Sequence, residues 1–535
     1  MARKGKWVLA IELTRDVEEA ASGHFLFHRE ALSLFEVTEA LRRASRDPAI
    51  EGVLVQLDGP GIGWAKAESL HKAIRAFRDT GKPSLAILSS GGNAAYFVAS
   101  AAGMVGLDPA TTLDIHALGS ESFFLKDFLG ELGVEPELDA IGEFKSSGEM
   151  FTSRESSEPS RLQTEQIVLD LHELLVSTIA DARALAPDVV AQSFARGPLL
   201  SHEALESQLV DVLAAESDAE KILEERLGAP VRLLPFRRYL RKKSLRRRLW
   251  RWRRPQVAVV HVAGLITGGD GRRAVGPRAA PARPLTELFL SLRKNSRVKA
   301  IVLRVDSPGG GAVASDRIRR VVQATASEKP VVVSMGDVAA SGGYYIATAA
   351  SSVVAAASTL TGSIGVIGGK FVMRRLLDRF GIHREVRSAG RNSEFHSPFH
   401  SFTAEERARH LELLRHFYET KFLPAVVEGR GLDREEADRV ARGRVWTGRQ
   451  AHARGLVDSL GGTEEAIARA CDRAGISRDR ARVVVYAPKQ RLAERILAGV
   501  FHPPGLSYLA ESLAIFDDLS REDLLLLAPG FLRIR

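Results

Sequence analysis

The sequence predicts an α/β architecture built twice: two copies of one domain, each a parallel sheet with helices on both faces. Three observations predict it. The 535-residue chain repeats itself, GVLVQLDGPG (52–61) falling on AIVLRVDSPG (300–309) at an offset of 248. Its apolar runs are short, β-branched and nearly continuous, the pattern of strands buried on both faces. Those runs alternate with amphipathic stretches at helical spacing, an order that pairs strands in parallel and covers them with helices.

Taken in order, residues 1–235 form the first copy. The N-terminus MARKGKWVLAIELTRDV has a basic start, but its apolar run ends at Glu12, so it does not read as a signal peptide. Ser84–Leu107 is uncharged for 24 residues, yet it is rich in Gly, Ser and Ala and breaks at a Gly pair. A buried strand followed by a buried helix fits it better than a membrane span. At the 248 offset AYFVASAA (95–102) lies on GYYIATAA (343–350), and ALESQLVD (204–211) matches AHARGLVD (451–458) at 247.

Residues 236–255 form a basic linker. The run Arg237–Arg254 holds 11 basic residues and no acidic one, and the chain without it falls from +9 to −2. The basic balance is therefore local, and nucleic-acid binding by the whole surface is not implied. Leu240, Leu245, Leu249, Trp250 and Trp252 among these arginines suit an anionic membrane surface as well as a solvated linker.

Residues 256–487 form the second copy. VAVVHVAGLI (257–266), AIVLRVD (300–306) and VVVSM (331–335) read as buried strands, with Ile318, Val321 and Val322 at helical spacing between the last two. Residues 488–535 form a tail whose LLLLAPGFL (524–532) is apolar enough to dock on another subunit and too short to span a bilayer. The single cysteine, Cys471, excludes an intrachain disulfide.

Chemistry concentrates where strands of the second copy end. Asp306-Ser-Pro-Gly-Gly-Gly311 follows a strand directly, and its glycines let the backbone approach a ligand with N–H groups outward. Alone, such a loop is more often a tight turn. Ser341, in ASGGYY, reads in isolation as a helix N-cap. Two following glycines leave its hydroxyl unhindered, however, and the helix dipole favours a developing anion there. TGSIG, carrying Ser363, reads by itself as another turn.

Comparing the copies sharpens this. Ser341 falls on Asn93, and Lys145 falls on Ser393. One copy carries the lysine without the serine, and the other the serine without the lysine. Two decayed copies would account for this, but one site shared across both does so more economically. The histidines His383, His396 and His400 sit in no recognisable motif, and neither HExxH nor a Cys/His cluster calls for a metal.

VDSPGG, ASGGYY, TGSIGV and GRVWTGRQAHARGLVDSLGG in the second copy, with IGEFKS in the first, resemble the long two-domain form of the signal peptide peptidase A (protease IV) family. The likeness runs over about residues 6–480. It implies a ClpP/crotonase-like fold and a serine endopeptidase working through an acyl-enzyme on extended hydrophobic peptides such as cleaved signal peptides. Ser341 would be the nucleophile, Lys145 the general base and Ser363 its hydrogen-bonding partner. The N–H groups of Gly342, Gly309 and Gly310 would form the oxyanion hole. No cofactor is implied, and a ring-like homotetramer in a bacterial cell, cytoplasmic or peripheral to the membrane, is. Since a free lysine has a pKa of ~10.4 and is charged at neutral pH, its amine must be buried away from carboxylates. Glu143 and Glu149 are therefore expected to face away. Long-form relatives usually begin with a spanning helix, and the start of this sequence is not expected to form one. Two alternatives remain at this point: a crotonase-like acyl-CoA enzyme, and a non-catalytic membrane-associated scaffold.

Overall fold

The computed structural model describes residues 5–19, 32–241, 254–269, 279–487, 525–527 and 533–534. Most of the basic linker and nearly all of the tail lie outside the described residues, including Leu245, Leu249, Trp250 and Trp252. Among the described residues no helix is long and apolar enough to cross a membrane.

Each copy is organised around a parallel sheet. In the first, the strands run in the spatial order Val212–Leu213, Met104–Leu107, Ser84–Ser90, Ile50–Asp58, Lys6–Leu13 and Val231–Pro235, all parallel. The second repeats the plan. Arg482–Tyr486, Gln256–Ala263, Val298–Ser307 and Val331–Ala340 are parallel neighbours, and Ser352–Ala355 continues from the last of these to Ser459–Leu460. The near-continuous apolar runs follow from this topology: Val53, Val55 and Leu57 bury one face of their strand and Leu54 the other. Val302 and Leu303 likewise point into different cores of the second copy.

The predicted run 257–266 is broken. Gly264, at φ 81°, ends the strand Gln256–Ala263 and starts Leu265–Thr267 in a second sheet. That second sheet joins the copies. Its order is Ala279–Pro281, Leu265–Thr267, Gly309–Gly311, Leu525–Leu527, Val366–Val372 and Glu135–Ile141. The last pair is an antiparallel ladder running from Ile141 opposite Val366 to Glu135 opposite Val372. Within this chain Leu525–Leu527 pairs antiparallel with Gly309–Gly311, and Leu525 also pairs with Ile367. An open strand edge offers unpaired N–H and C=O groups, and an apolar strand from the same chain satisfies them without the cost of association.

Candidate active site

Lys145 reaches the second copy because of that ladder. The strand Glu135–Ile141 ends against Val366, and the chain then turns through Gly142, at φ 110°. Phe144 N–H donates to Arg442 O at 2.9 Å and Lys145 N–H to Gly142 O at 3.0 Å, which fixes the turn against the second copy. Gln163, on the helix Glu158–Arg183, clamps both sides. Its amide nitrogen donates to Phe144 O and Ser146 Oγ, while its oxygen accepts from Val445 N–H.

Ser341 lies at the junction of the strand Val331–Ala340 and the short helix Gly342–Ala347, with φ 53° and ψ −113°. A non-glycine residue there is strained by roughly 1–3 kcal/mol, and the surrounding bonds hold it: Ser341 N–H donates to Gly362 O at 2.8 Å. Ser341 occupies the N-cap position of that helix, but its side chain caps no helix N–H, which leaves the hydroxyl for other work. Ser363 is similarly forced, at φ 51°, with its N–H donating to Arg444 O at 2.7 Å.

The three side chains meet. Lys145 Nζ stands 2.7 Å from Ser341 Oγ, 3.0 Å from Ser363 Oγ and 2.9 Å from Ser363 O. All are buried, Lys145 to 4% exposure and both serines to 0%. Burial holds the Lys145 amine well below its ordinary pKa of 10.5, with no charged neighbour among the described residues opposing it. A neutral amine has two N–H bonds and one lone pair. The carbonyl and hydroxyl of Ser363 can accept the first two, leaving the lone pair for the Ser341 proton. Glu143 lies beside Arg442 at 3.7 Å, and Glu149 accepts from Ser157 N–H and Oγ, so both turn elsewhere.

The glycines named from the sequence also converge. A Cβ built on Gly342 would come 3.2 Å from Gly309 Cα and 3.3 Å from Gly310 N. Gly309 and Gly310 have φ 113° and 148°, a region other residues rarely adopt. Within this group Gly309 N–H donates to Ser307 Oγ at 3.1 Å, a bond inside its own loop. Of the histidines, His400 pairs with Glu406 at 3.0 Å.

The counterparts in the other halves are disposed differently. Asn93 is buried, its amide donating to His116 O and accepting from His116 N–H. Ser393 is in an exposed loop, bonded to Ser388 Oγ.

Sequence reasoning missed Gly443. It has φ 80°, and a Cβ there would come 2.5 Å from Lys145 N and 2.6 Å from its Cα and Cβ. Its N–H donates to Ile364 O at 2.7 Å. The signal was present as the first glycine of GRVWTG, but without coordinates nothing said what it touches.

The model of peptidase family S49 matches the chain twice, over residues 76–229 and 323–477. The chain belongs to peptidase family S49. It is similar to Protease 4 of Salmonella typhi, with 32% identity over 457 residues that cover 83% of this chain and 72% of that one. The chloroplastic serine protease SPPA of Arabidopsis thaliana is 30% identical over 482 residues, covering 89% of this chain and 70% of its own. Protease 4 of Haemophilus influenzae is 30% identical over 457 residues, covering 82% and 72%. The two family matches fall one in each copy, as the internal repeat requires. This S49 chain is thus a serine-type peptidase of tandem α/β domains, and membership favours peptide chemistry over the acyl-CoA alternative.

Proposed function

We propose that this S49 peptidase is an endopeptidase with a serine–lysine dyad assembled from both copies. The observation that carries the reading is the 2.7 Å approach of Lys145 Nζ to Ser341 Oγ in a buried pocket where no carboxylate among the described residues acts on the amine. In the forward step the neutral amine takes the Ser341 proton as Oγ attacks the scissile carbonyl. Ser363 keeps the amine aimed by accepting its N–H groups. Gly310 and Gly342 N–H groups stabilise the tetrahedral oxyanion, Gly309 being engaged by Ser307. The protonated amine then returns its proton to the leaving nitrogen, giving an acyl-enzyme that water hydrolyses.

The substrate is an extended, apolar peptide such as a cleaved signal peptide. Support comes from the glycine strand Gly309–Gly311 and the strand Val366–Val372, which here take an extended leucine segment between them. That is how a strand-accepting slot recognises a peptide backbone without demanding particular side chains. Homotetramer formation belongs to the same reading. Exposed Phe128 and Phe380, at 57% and 73%, lie on facing segments of the two copies that touch where Leu376 N–H donates to Gly133 O, and they favour self-association.

The test is cleavage of an internally quenched hydrophobic peptide by the wild type, Ser341→Ala and Lys145→Ala. Loss of turnover in both variants is expected, with folding intact by circular dichroism. Equal activity in all three sinks the dyad.

A further inference from the structure

A cluster of buried and half-buried charges takes no part in that chemistry, yet it touches both loops that carry it. Lys66, near the start of the first-copy helix Trp64–Arg78, crosses into the second copy. Its Nζ donates to Asp306 Oδ2 at 3.0 Å and to Asp337 Oδ2, and stands 3.9 Å from Glu19 Oε1. Glu19 in turn holds Arg304 through two bonds of 2.7 and 2.8 Å. Three carboxylates thus face two cations, with the half-buried His261 close by.

The placement of the two aspartates gives the cluster its meaning. Asp306 is the penultimate residue of the strand that leads into Pro308-Gly309, and Asp337 precedes Ser341 by four residues on the other strand. Asp337 does double work at the interface. Its Oδ1 accepts Ala65 N–H at 2.9 Å and Lys66 N–H at 3.2 Å, so it caps a helix of the other copy. The helix's own N-cap, Gly63, has no side chain to offer, and a Cβ there would overlap the Asp337 carboxylate. One turn further on, Glu68 accepts from Ala357 N–H, Ser358 N–H and Ser358 Oγ, in the loop that leads to Ser363. The helix Trp64–Arg78 therefore touches the approaches to the oxyanion loop, to Ser341 and to Ser363, all from the copy that carries Lys145. At the 248 offset Lys66 falls on Ala314, so the contact exists once per chain.

We propose that Lys66 is a positioning residue: a cationic peg between the copies that sets Ser341 and the glycine loop in register with Lys145. The proposal rests on the dyad reading above. Without the peg, Asp306 and Asp337 face each other with no cation between them, and the strand ends carrying the two loops separate.

The test compares Lys66→Met, Asp337→Asn and the double variant Lys66→Met/Asp337→Asn. Each is assayed well below its own melting temperature for kcat, KM and the acid limb of kcat/KM against pH. Lys66→Met is expected to lower kcat by between about 10- and 100-fold, with KM changed by less than about twofold. Its acid limb moves to higher pH, because water entering the loosened interface favours the charged Lys145. The double variant loses one carboxylate together with the cation, and it recovers at least part of kcat. Asp337→Asn is isosteric, so it carries the test if Lys66→Met does not fold, and a severalfold loss of kcat with an upward limb is expected of it. A lowered melting temperature with wild-type kcat and limb, in Lys66→Met or in a folded Asp337→Asn, overturns the proposal. Ser341→Ala in the same assay keeps the two readings apart: if it retains activity, the dyad fails, whereas wild-type behaviour of the Lys66 variant beside an inactive Ser341→Ala refutes the peg alone.

Discussion

Gly443→Ala should nearly silence the enzyme although Gly443 contributes no reacting atom. The added Cβ would sit 2.5–2.6 Å from three atoms of Lys145, where ordinary contact begins at 3.4 Å. One side must retreat by about 1 Å, and misplacement on that scale costs about 100-fold in rate. If the Lys145 turn gives way, the amine leaves Ser341. If the 442–444 loop gives way, it carries Ser363, whose N–H is bonded to Arg444 O at 2.7 Å. Either movement breaks the arrangement. A second cost is conformational: alanine at φ 80° is disfavoured by about 1–2 kcal/mol. That cost is general, so it needs a control. Gly431 has φ 65° and nothing within 4 Å of an added Cβ, so Gly431→Ala incurs the conformational cost alone. Steady-state cleavage of a quenched peptide, run below both melting temperatures, should give Gly431→Ala a wild-type kcat and Gly443→Ala a kcat about 100-fold lower. Equal kcat in the two variants would refute the claim that Gly443 sets the lysine.

Three further outcomes are expected. Activity should rise with pH as the Lys145 amine loses its proton, with an acid limb in kcat/KM well below 10.5, and a profile flat between about 6 and 9 would contradict the base. Because the folded pKa of Lys145 lies below its unfolded value, the unfolded chain binds more protons between the two, so stability climbs with pH through that window. Lys145→Met should therefore be inactive but more stable at neutral pH, by about 1–2 kcal/mol, with the gap in melting temperature closing as the pH approaches 10.5. Removing residues 488–535 takes away a strand held on Gly309–Gly311 at an effective concentration in the millimolar range. KM for added peptide should fall severalfold with kcat unchanged; an unaltered KM would mean that the segment does not compete with substrate.

Much of the fold was legible because a repeat constrains more than a motif does. The exchange of Asn93 and Lys145 against Ser341 and Ser393 pointed to one site built from two copies, and the coordinates bring Lys145 and Ser341 within hydrogen-bonding distance. What stayed hidden depends on contacts between copies. Lys66, Glu68 and Gln163 lie on helices whose apolar periodicity says which face is buried but not against which partner. Ser341 and Ser363 adopt φ of 53° and 51°, which residue type alone gives no reason to expect. The engagement of Gly309 N–H by Ser307 turns on one side-chain rotamer in a loop whose glycines look equivalent on paper. The four leucines at 524–527 could be read as sticky, but a short apolar run does not name what it sticks to.

A site divided between two domains has to be held together by something other than the reacting pair. On the dyad reading proposed above, the Lys145–Ser341 hydrogen bond contributes about 1 kcal/mol and is lost in every turnover when Oγ becomes acylated. Register must come from bonds that the reaction leaves alone. The ladder between Glu135–Ile141 and Val366–Val372 supplies the backbone part. Asp170, which accepts from Thr447 Oγ1 at 2.6 Å and from Arg449 at 2.8 Å, supplies a second anchor, and the Lys66 cluster a third. These anchors use charge freely, whereas among the described residues no charged neighbour acts on the Lys145 amine. The segregation is chemically required. A carboxylate close enough to strengthen the joint at Lys145 would also keep the amine protonated, and Glu143, two residues away and turned to Arg442, is where that failure would begin.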